Sequence, residues 1–195
     1  MNSTLYNIFK NKKLILASGS PRRQELLKGL DIPFTIQTKE VKEIYPQQLK
    51  AGAITEYLAE LKAAAFKDLD ENTILITADT IVWMDNKALM KPKDRLEAIE
   101  ILGNLSDNKH EVFTSVCLKS ASKTKIFTAV TEVYFEKLTK EEIAYYVDTY
   151  KPYDKAGGYG AQDWIGYIGI KELKGSYFNV MGLPVHNLYK ALVNF

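Results

Sequence analysis

A chain of 195 residues is long enough for one sizeable hydrophobic core, or for two lobes sharing a cleft, and too short for several independent domains. With 46% hydrophobic and 26% charged residues it has the composition of a soluble globular protein, and its formal charge of +2, from 26 basic against 24 acidic residues, does not imply extensive non-specific nucleic-acid binding while leaving room for a local basic pocket. No run approaches the roughly 20 apolar residues of a membrane span, residues 1–13 are too polar for a secretory leader, and the single cysteine, Cys117, suits a reducing cytoplasm.

The first element is a short buried strand over Leu14 to Ala17, followed by a tight connection, Ser18 to Ser20, and a helix that starts at Pro21 with Ser20 as its cap. Arg22 and Arg23 then occupy the first helical turn. Outward-pointing N–H groups and the macrodipole make that end positive, so two cations there are disfavoured by about 0.3–1 kcal/mol each unless an anion is bound. A phosphate chain held by the helix N–H groups, the Ser18 and Ser20 hydroxyls and two guanidinium forks is the natural occupant. The same pattern also fits a Ser-capped helix with two solvated arginines. On the phosphate reading, removing either arginine leaves the ligand-free fold as stable as before or more so.

Glu40 and Glu43 fall on an extended segment, and Ile54 to Leu69 is an amphipathic helix. The β-branched run Thr73 to Met84 reads as a strand interrupted at Ala78-Asp79-Thr80, turning at Asp85-Asn86 into a hairpin that returns through Ala88 to Met90, with Lys91-Pro92 ending it. A helix over Arg95 to Leu105 is followed by an antiparallel pair, alternating around Val112 to Leu118 and again from Ile126 to Phe135. Thr139-Lys140-Glu141-Glu142 is a capping box with Leu138 and Ile143 as its staple, which predicts a helix to about Asp148. Tyr153 to Gln162 is a glycine-rich connection. Trp164 to Ile170 and Tyr177 to Met181 read as paired strands joined at Lys174-Gly175, and Pro184 opens a C-terminal helix. The alternation predicts an α/β protein, a mixed and twisted sheet with flanking helices, organised as one domain over residues 1–195.

Asp79 is the most telling polar residue, because an ionised carboxylate among Ile74, Leu75, Ile76, Ile81, Val82 and Trp83 is costly unless a cation, a metal or hydrogen-bond donors compensate it. Its bland alternative is a strand-end aspartate capping a turn. Lys155 stands beside the flexible glycine-rich backbone, and Glu40 and Glu43 are oxygen ligands of the kind that suit Mg²⁺ or Mn²⁺, although by themselves they read more simply as a solvated charged face. His110 and His186 are too few and too separated for a histidine-rich metal site, and His110 reads as a structural, hydrogen-bonded residue. Walker A, H-E-x-x-H, C-x-x-C and G-x-S-x-G motifs are missing.

Ser18-Gly19-Ser20-Pro21-Arg22-Arg23, Ala78-Asp79-Thr80, Lys91-Pro92, His110-x-Val112-x-Thr114, Asp154 to Gln162, and Gly175-Ser176-Tyr177 with Gly182-Leu183-Pro184 together resemble the Maf family, in order from about Leu14 to Leu192. The resemblance implies a cytoplasmic nucleoside triphosphate pyrophosphatase that releases a nucleoside monophosphate and pyrophosphate. It implies the Maf/inosine-triphosphatase-like fold, with two lobes around an elongated cleft, a divalent metal cofactor (Mg²⁺ or Mn²⁺), and a homodimer as a plausible assembly. The Gln162 form of the glycine-rich motif resembles the branch acting on dTTP and UTP. By motif position Asp79 matches the catalytic proton acceptor, while Arg22, Thr80 and Gln162 match the positions tied to substrate selectivity. Arg22, Arg23, Lys62, Lys91 and Lys155 are then the candidates for neutralising a triphosphate, with Glu43 and Asp79 as candidate metal ligands; Asp79 either accepts the water's proton or holds the metal, and the sequence does not separate the two roles. The alternatives are the same chemistry on another base, such as a methylated guanine nucleotide, or a nucleotide-binding regulator of septum formation. Two positions depart from the family pattern: Asp107 and Asp163 stand where glycines are usual, and Asp163 adds a negative charge beside the base pocket.

Overall fold

Apolar, β-branched runs form the strands and amphipathic runs the helices of the computed structural model, which describes residues 4–195. Helix α1 (Thr4–Phe9) leads into β1 (Lys13–Leu16), α2 (Pro21–Lys28) and the short β2 (Thr35–Ile36). Helix α3 (Gly52–Ala64) precedes a hairpin of β3 (Thr73–Met84) and β4 (Lys87–Leu89), and α4 (Arg95–Leu105) follows it. A second hairpin, β5 (Lys109–Lys119) and β6 (Thr124–Phe135), is followed by α5 (Lys140–Tyr150), α6 (Trp164–Gly169), β7 (Ile170–Lys174), α7 (Tyr177–Val180) and α8 (Val185–Val193). Among the described residues no helix is long and apolar enough to cross a membrane.

One mixed sheet runs β2-β1-β3-β5-β6-β7, with β4 on the other edge of β3. Strand β1 lies parallel to β2 and β3, as strands joined through crossover helices do, and the remaining pairs are antiparallel. On its β5 side β3 is paired from Leu75 to Trp83. On the other side β1 ends opposite Ile76 and β4 begins opposite Val82, so residues 77–81 have no neighbouring strand there. The interruption expected at Asp79 is therefore in the neighbours of the strand and not in the strand itself, which continues through it.

Side-chain alternation along β3 divides the core. Ile74, Ile76 and Ala78 pack with Leu14, Leu16, Leu183 and Leu188, whereas Val82, on the same face, packs with Ala98, Leu102 and Tyr146 from α4 and α5. The opposite face carries Leu75 against Ala59 and Ala63, and Ile81 against Ile54 and Leu58, so α3 covers it. Two core clusters thus share one face of the sheet on either side of the open stretch of β3.

Several local expectations hold. Asp85 and Asn86 both adopt positive φ, 50° and 59°, as a tight hairpin turn requires. Thr139 and Glu142 form the reciprocal capping box of α5, and Leu138 and Ile143 are buried in one cluster. Others are corrected. Ser20 stands at the N-cap of α2, but its hydroxyl makes no cap hydrogen bond; its N–H donates to Ser18 Oγ at 3.2 Å. Helix α3 stops at Ala64 and not at Leu69, and the Lys119 ammonium takes the Ala63 and Phe66 carbonyls at 3.2 and 2.9 Å.

The two strands expected at 164–170 and 177–181 are helices, and β7 lies between them. Ile165 and Gly169, four residues apart, are buried while Tyr167 is exposed, which is helical spacing. Gly166 makes the turn possible, since a Cβ there would overlap the Ala161 carbonyl. In α7 the Ser176 hydroxyl caps the Asn179 N–H, and buried Asn179 donates to Val112 O and Thr131 Oγ1 of the sheet at 3.0 and 2.9 Å. Tertiary hydrogen bonding overrides the strand propensity of the Tyr-Phe-Asn-Val run.

His110 on β5 is structural. Its Nε2 is 2.7 Å from the Tyr159 hydroxyl, its ring meets Phe135 and Tyr159 edge-on, and burial lowers its pKa to about 3. The unfolded chain takes up this proton near pH 6.5, where the folded chain does not, so the histidine's contribution to stability is complete above that pH and is lost as pH falls toward 3. Chemical denaturation between pH 7 and 4 should show His110→Phe losing stability less steeply than wild type, by up to about 1.4 kcal/mol per pH unit. Equal slopes would show that the imidazole is not held neutral.

Candidate active site

The open stretch of β3 is where the polar residues gather. Thr77 Oγ1 donates to the Ala59 carbonyl of α3 at 2.6 Å, which pins the helix to this face of the strand. Asp79 is two residues further along the same face and Lys62 three residues further along the helix, so their side chains meet. Lys62 Nζ lies 2.6 Å from Asp79 Oδ1 and 3.1 Å from Glu43 Oε1, bridging the two carboxylates. Asp79 is only 6% exposed, and burial pushes its carboxyl above the ordinary range. The charge and hydrogen bond of Lys62, then the Arg23 charge, oppose that rise, and Glu43 adds to it. Among the described residues Asp79 Oδ2 accepts no hydrogen bond.

Arg22 and Arg23 do different work. Arg22 faces the cleft and pairs with Asp154 Oδ2 at 3.2 Å, a partly exposed contact of the kind that contributes about 0–1 kcal/mol. Arg23 is built into the frame: Nε donates to Gly182 O at 2.8 Å, one terminal nitrogen to Ala78 O at 2.9 Å and the other to Thr80 Oγ1 at 2.9 Å. Ala78 O belongs to the open edge of β3, so the guanidinium stands in there for the absent strand. Burial lowers the Arg23 pKa, and the Asp79 charge opposes that shift.

The same network orients Thr80. Thr114 spends its only hydroxyl proton on the Asn179 carbonyl at 3.0 Å, so the 3.0 Å contact between Thr80 and Thr114 must have Thr80 donating. Thr80 also accepts from Arg23. Its proton is committed, and toward a ligand it can only accept.

A cleft of about 790 Å³ opens at this point. Ser18, Ser20, Arg22 and Arg23 line it from the β1–α2 connection, Glu43 and Lys62 from the α3 side, and Asp79 and Thr80 from β3. Lys91 lines it from the β4–α4 connection, and Lys155 and Gln162 from the glycine-rich segment. The structure thus brings these residues to one cavity, while Glu40, the other candidate oxygen ligand named from the sequence, stays outside it. Seven basic side chains face three acidic ones across the lining, a balance that favours a polyanion. Lys155 Nζ binds Asp154 at 2.7 Å, and Gln162 Oε1 is buried without a hydrogen-bond partner. An orphaned acceptor at a cavity wall is costly in the free protein and available to a ligand N–H. Apolar Leu89, Met90, Val180 and Met181 complete a wall.

The family model described as Maf-like protein matches residues 13–195. The chain belongs to the Maf family. Its relatives include the dTTP/UTP pyrophosphatase of Flavobacterium psychrophilum, 54% identical over 187 residues that make up 95% of this chain and 96% of the relative. The enzyme of the same name from Christiangramia forsetii is 52% identical over 189 residues, 96% of each chain, and that of Bacteroides thetaiotaomicron 50% identical over 182 residues, 92% of this chain and 94% of its own. The solved Ham1 protein of Staphylococcus aureus is 16% identical, covering 64% of this Maf chain and 72% of its own with a TM-score of 0.44.

Sequence reasoning missed Asp154, which holds both Arg22 and Lys155, and Tyr146, whose hydroxyl reaches the glycine-rich segment. Asp154 opens the glycine-rich motif of the resemblance, but nothing local marks it as the partner of Arg22; Tyr146 reads as an ordinary core aromatic on α5. Arg23 also departs from expectation in the ligand-free state. Arg23→Ala would strand Ala78 O, Gly182 O and Thr80 Oγ1, and should cost about 1–3 kcal/mol of stability without any nucleotide. Arg22→Ala should leave the melting temperature nearly unchanged. Thermal denaturation of both variants checks this, and equal melting temperatures would remove Arg23 from the frame.

Proposed function

We propose that this Maf protein hydrolyses dTTP and UTP to the nucleoside monophosphate and pyrophosphate. The observation that carries the reading is the buried Asp79, held by Lys62 in a predominantly basic cleft, in a chain half identical to relatives named for that activity. Lys62, Lys91, Lys155 and Arg22 neutralise the phosphate chain, and the N-terminal turn of α2 adds unpaired N–H groups. Water attacks the α-phosphorus, the bond to the α–β bridging oxygen breaks, and pyrophosphate leaves. Asp79 accepts the water's proton at Oδ2, the oxygen that Lys62 leaves free. Burial raises the Asp79 pKa and so its basicity, while the charge and hydrogen bond of Lys62 oppose that rise and favour the ionised form.

The donor set fits a divalent cation. Two carboxylate oxygens, from Glu43 and Asp79, already converge on one cationic nitrogen, and these two residues would hold the ion. That matches Mg²⁺ or Mn²⁺, which are bound by one or two carboxylates completed by substrate phosphates. When bound, the metal supplies charge stabilisation to the phosphate oxygens.

Base selection rests on Gln162, Thr80 and Arg22. Uracil and thymine present an N–H flanked by carbonyls, and the Gln162 amide offers one acceptor, now unpaired, beside a donor. A base with a different edge leaves one of these groups unmatched. We place the enzyme in a reducing cytoplasm, as its single, free and buried cysteine, Cys117, suits.

Pyrophosphate release from dTTP, UTP, CTP, GTP and 7-methyl-GTP, with and without Mg²⁺ or Mn²⁺, tests the reading. Metal-dependent turnover with dTTP and UTP preferred is expected, and the acid limb of the pH–rate profile should lie above the ordinary carboxylate range. Asp79→Asn should lower kcat/KM by at least ~100-fold in folded protein. A preference for CTP or a guanine nucleotide would overturn the base assignment, and wild-type turnover in Asp79→Asn would overturn the proton acceptor.

A further inference from the structure

Gln162 reads a base only if its short segment is held still. Tyr159 and Ala161 on its N-terminal side are packed in the core with Phe135 and Ile165, and the polar tie on the turn that carries Gln162 itself comes from α5. Tyr146, fully buried, accepts the Gly160 N–H at its hydroxyl oxygen at 3.1 Å and donates the hydroxyl proton to Asp163 Oδ2 at 2.8 Å. The Asp163 N–H donates to Gly160 O at 3.0 Å, so the two ends of the Gly160–Asp163 turn are tied twice, once by backbone and once through the phenol. Gly160 is the floor of this arrangement: a Cβ there would lie 2.6 Å from Asp163 Oδ2 and 3.0 Å from Gln162 Nε2. The carboxylate and the amide therefore pack over the same backbone atom.

We propose that Tyr146 and Asp163 are positioning residues for nucleobase selection, setting the Gln162 amide in the cleft through the Gly160–Asp163 turn. The inference rests on the base reading assigned to Gln162 above. It gives Asp163 a local function: its charge is directed at the phenol, with Lys155 Nζ a further 3.8 Å away, and is not a bare negative charge facing the base. Burial and the Asp163 hydrogen bond both raise the Tyr146 pKa, so the phenol keeps the proton it donates. Tyr146 stacks on Tyr150, and α5 is anchored by its capping box, which makes the donor a rigid one.

The test compares kcat/KM for dTTP and CTP in wild type, Tyr146→Phe, Asp163→Ala, Asp163→Asn and Gln162→Ala, with inhibition by inorganic tripolyphosphate as a probe of phosphate-chain binding alone. Tyr146→Phe and Asp163→Ala break the same bond from opposite ends, and each should lower the dTTP-to-CTP ratio about tenfold, chiefly through a higher KM for dTTP. Tripolyphosphate inhibition should stay within about twofold of wild type. Asp163→Asn, which keeps an oxygen acceptor for the phenol, should retain most of the selectivity. An unchanged ratio in Tyr146→Phe and Asp163→Ala, with selectivity lost in Gln162→Ala, would overturn the positioning role and leave the base reading standing. Equal loss of tripolyphosphate affinity and selectivity would also overturn it, since that is general damage to the cleft. A wild-type protein that does not prefer dTTP would overturn the base reading itself, and this inference with it.

Discussion

Residues 77–81 of β3, which have a strand on their β5 side only, set the terms for everything around them. Backbone polar groups facing a cavity need partners, and a neighbouring strand would supply them at the expense of the cavity. Here β1 stops short and β4 starts late, so the sheet stays continuous through β5 while one edge opens. The Arg23 guanidinium ties Ala78 on that edge to the segment before α8, and the Thr80–Thr114–Asn179 relay continues the tie into α7. The cleft exists because side chains from α2 and α3 occupy a place that a strand could have filled.

Charge in the cleft is arranged around the same opening. Burying Asp79 is unfavourable by itself, and Lys62 offsets it from a helix whose position is fixed by Thr77. Glu43 shares that ammonium from a segment without regular structure. The free protein thereby carries an internal counter-ion between its two carboxylates. A phosphate chain entering the cleft competes with these two carboxylates for the ammonium, an exchange among side chains around the open edge of β3.

Much of this was legible in the residues. Strong local chemistry translated directly: the capping box at Thr139, the paired positive-φ residues at Asp85 and Asn86, and the Pro-initiated α2 all stand where their patterns put them. The site residues were legible as types, because a carboxylate in an apolar strand and arginines at a helix N-terminus each require compensation. What could not be read was which partner provides it. Arg23 answers to three oxygen acceptors 55 to 159 residues away in the chain, and no local pattern encodes such distances. The errors at 164–170 and 177–181 have the same origin. Aromatic and β-branched residues favour a strand by propensity, but Gly166 packed under Ala161 and Asn179 bonded across two strands select a helical turn.

The dual engagement of Arg23 and Thr80 has an evolutionary consequence. Side chains wired into the frame cannot be exchanged without unsettling the fold, so a Maf cleft of this kind has few free letters with which to acquire a new preference. Gln162, whose amide oxygen has no hydrogen-bond partner among the described residues, and Arg22, held by one partly exposed aspartate, are two of those letters. On the base reading proposed above, drift toward another nucleotide has an unobstructed route through these two positions, and the scaffold can persist unchanged while specificity moves.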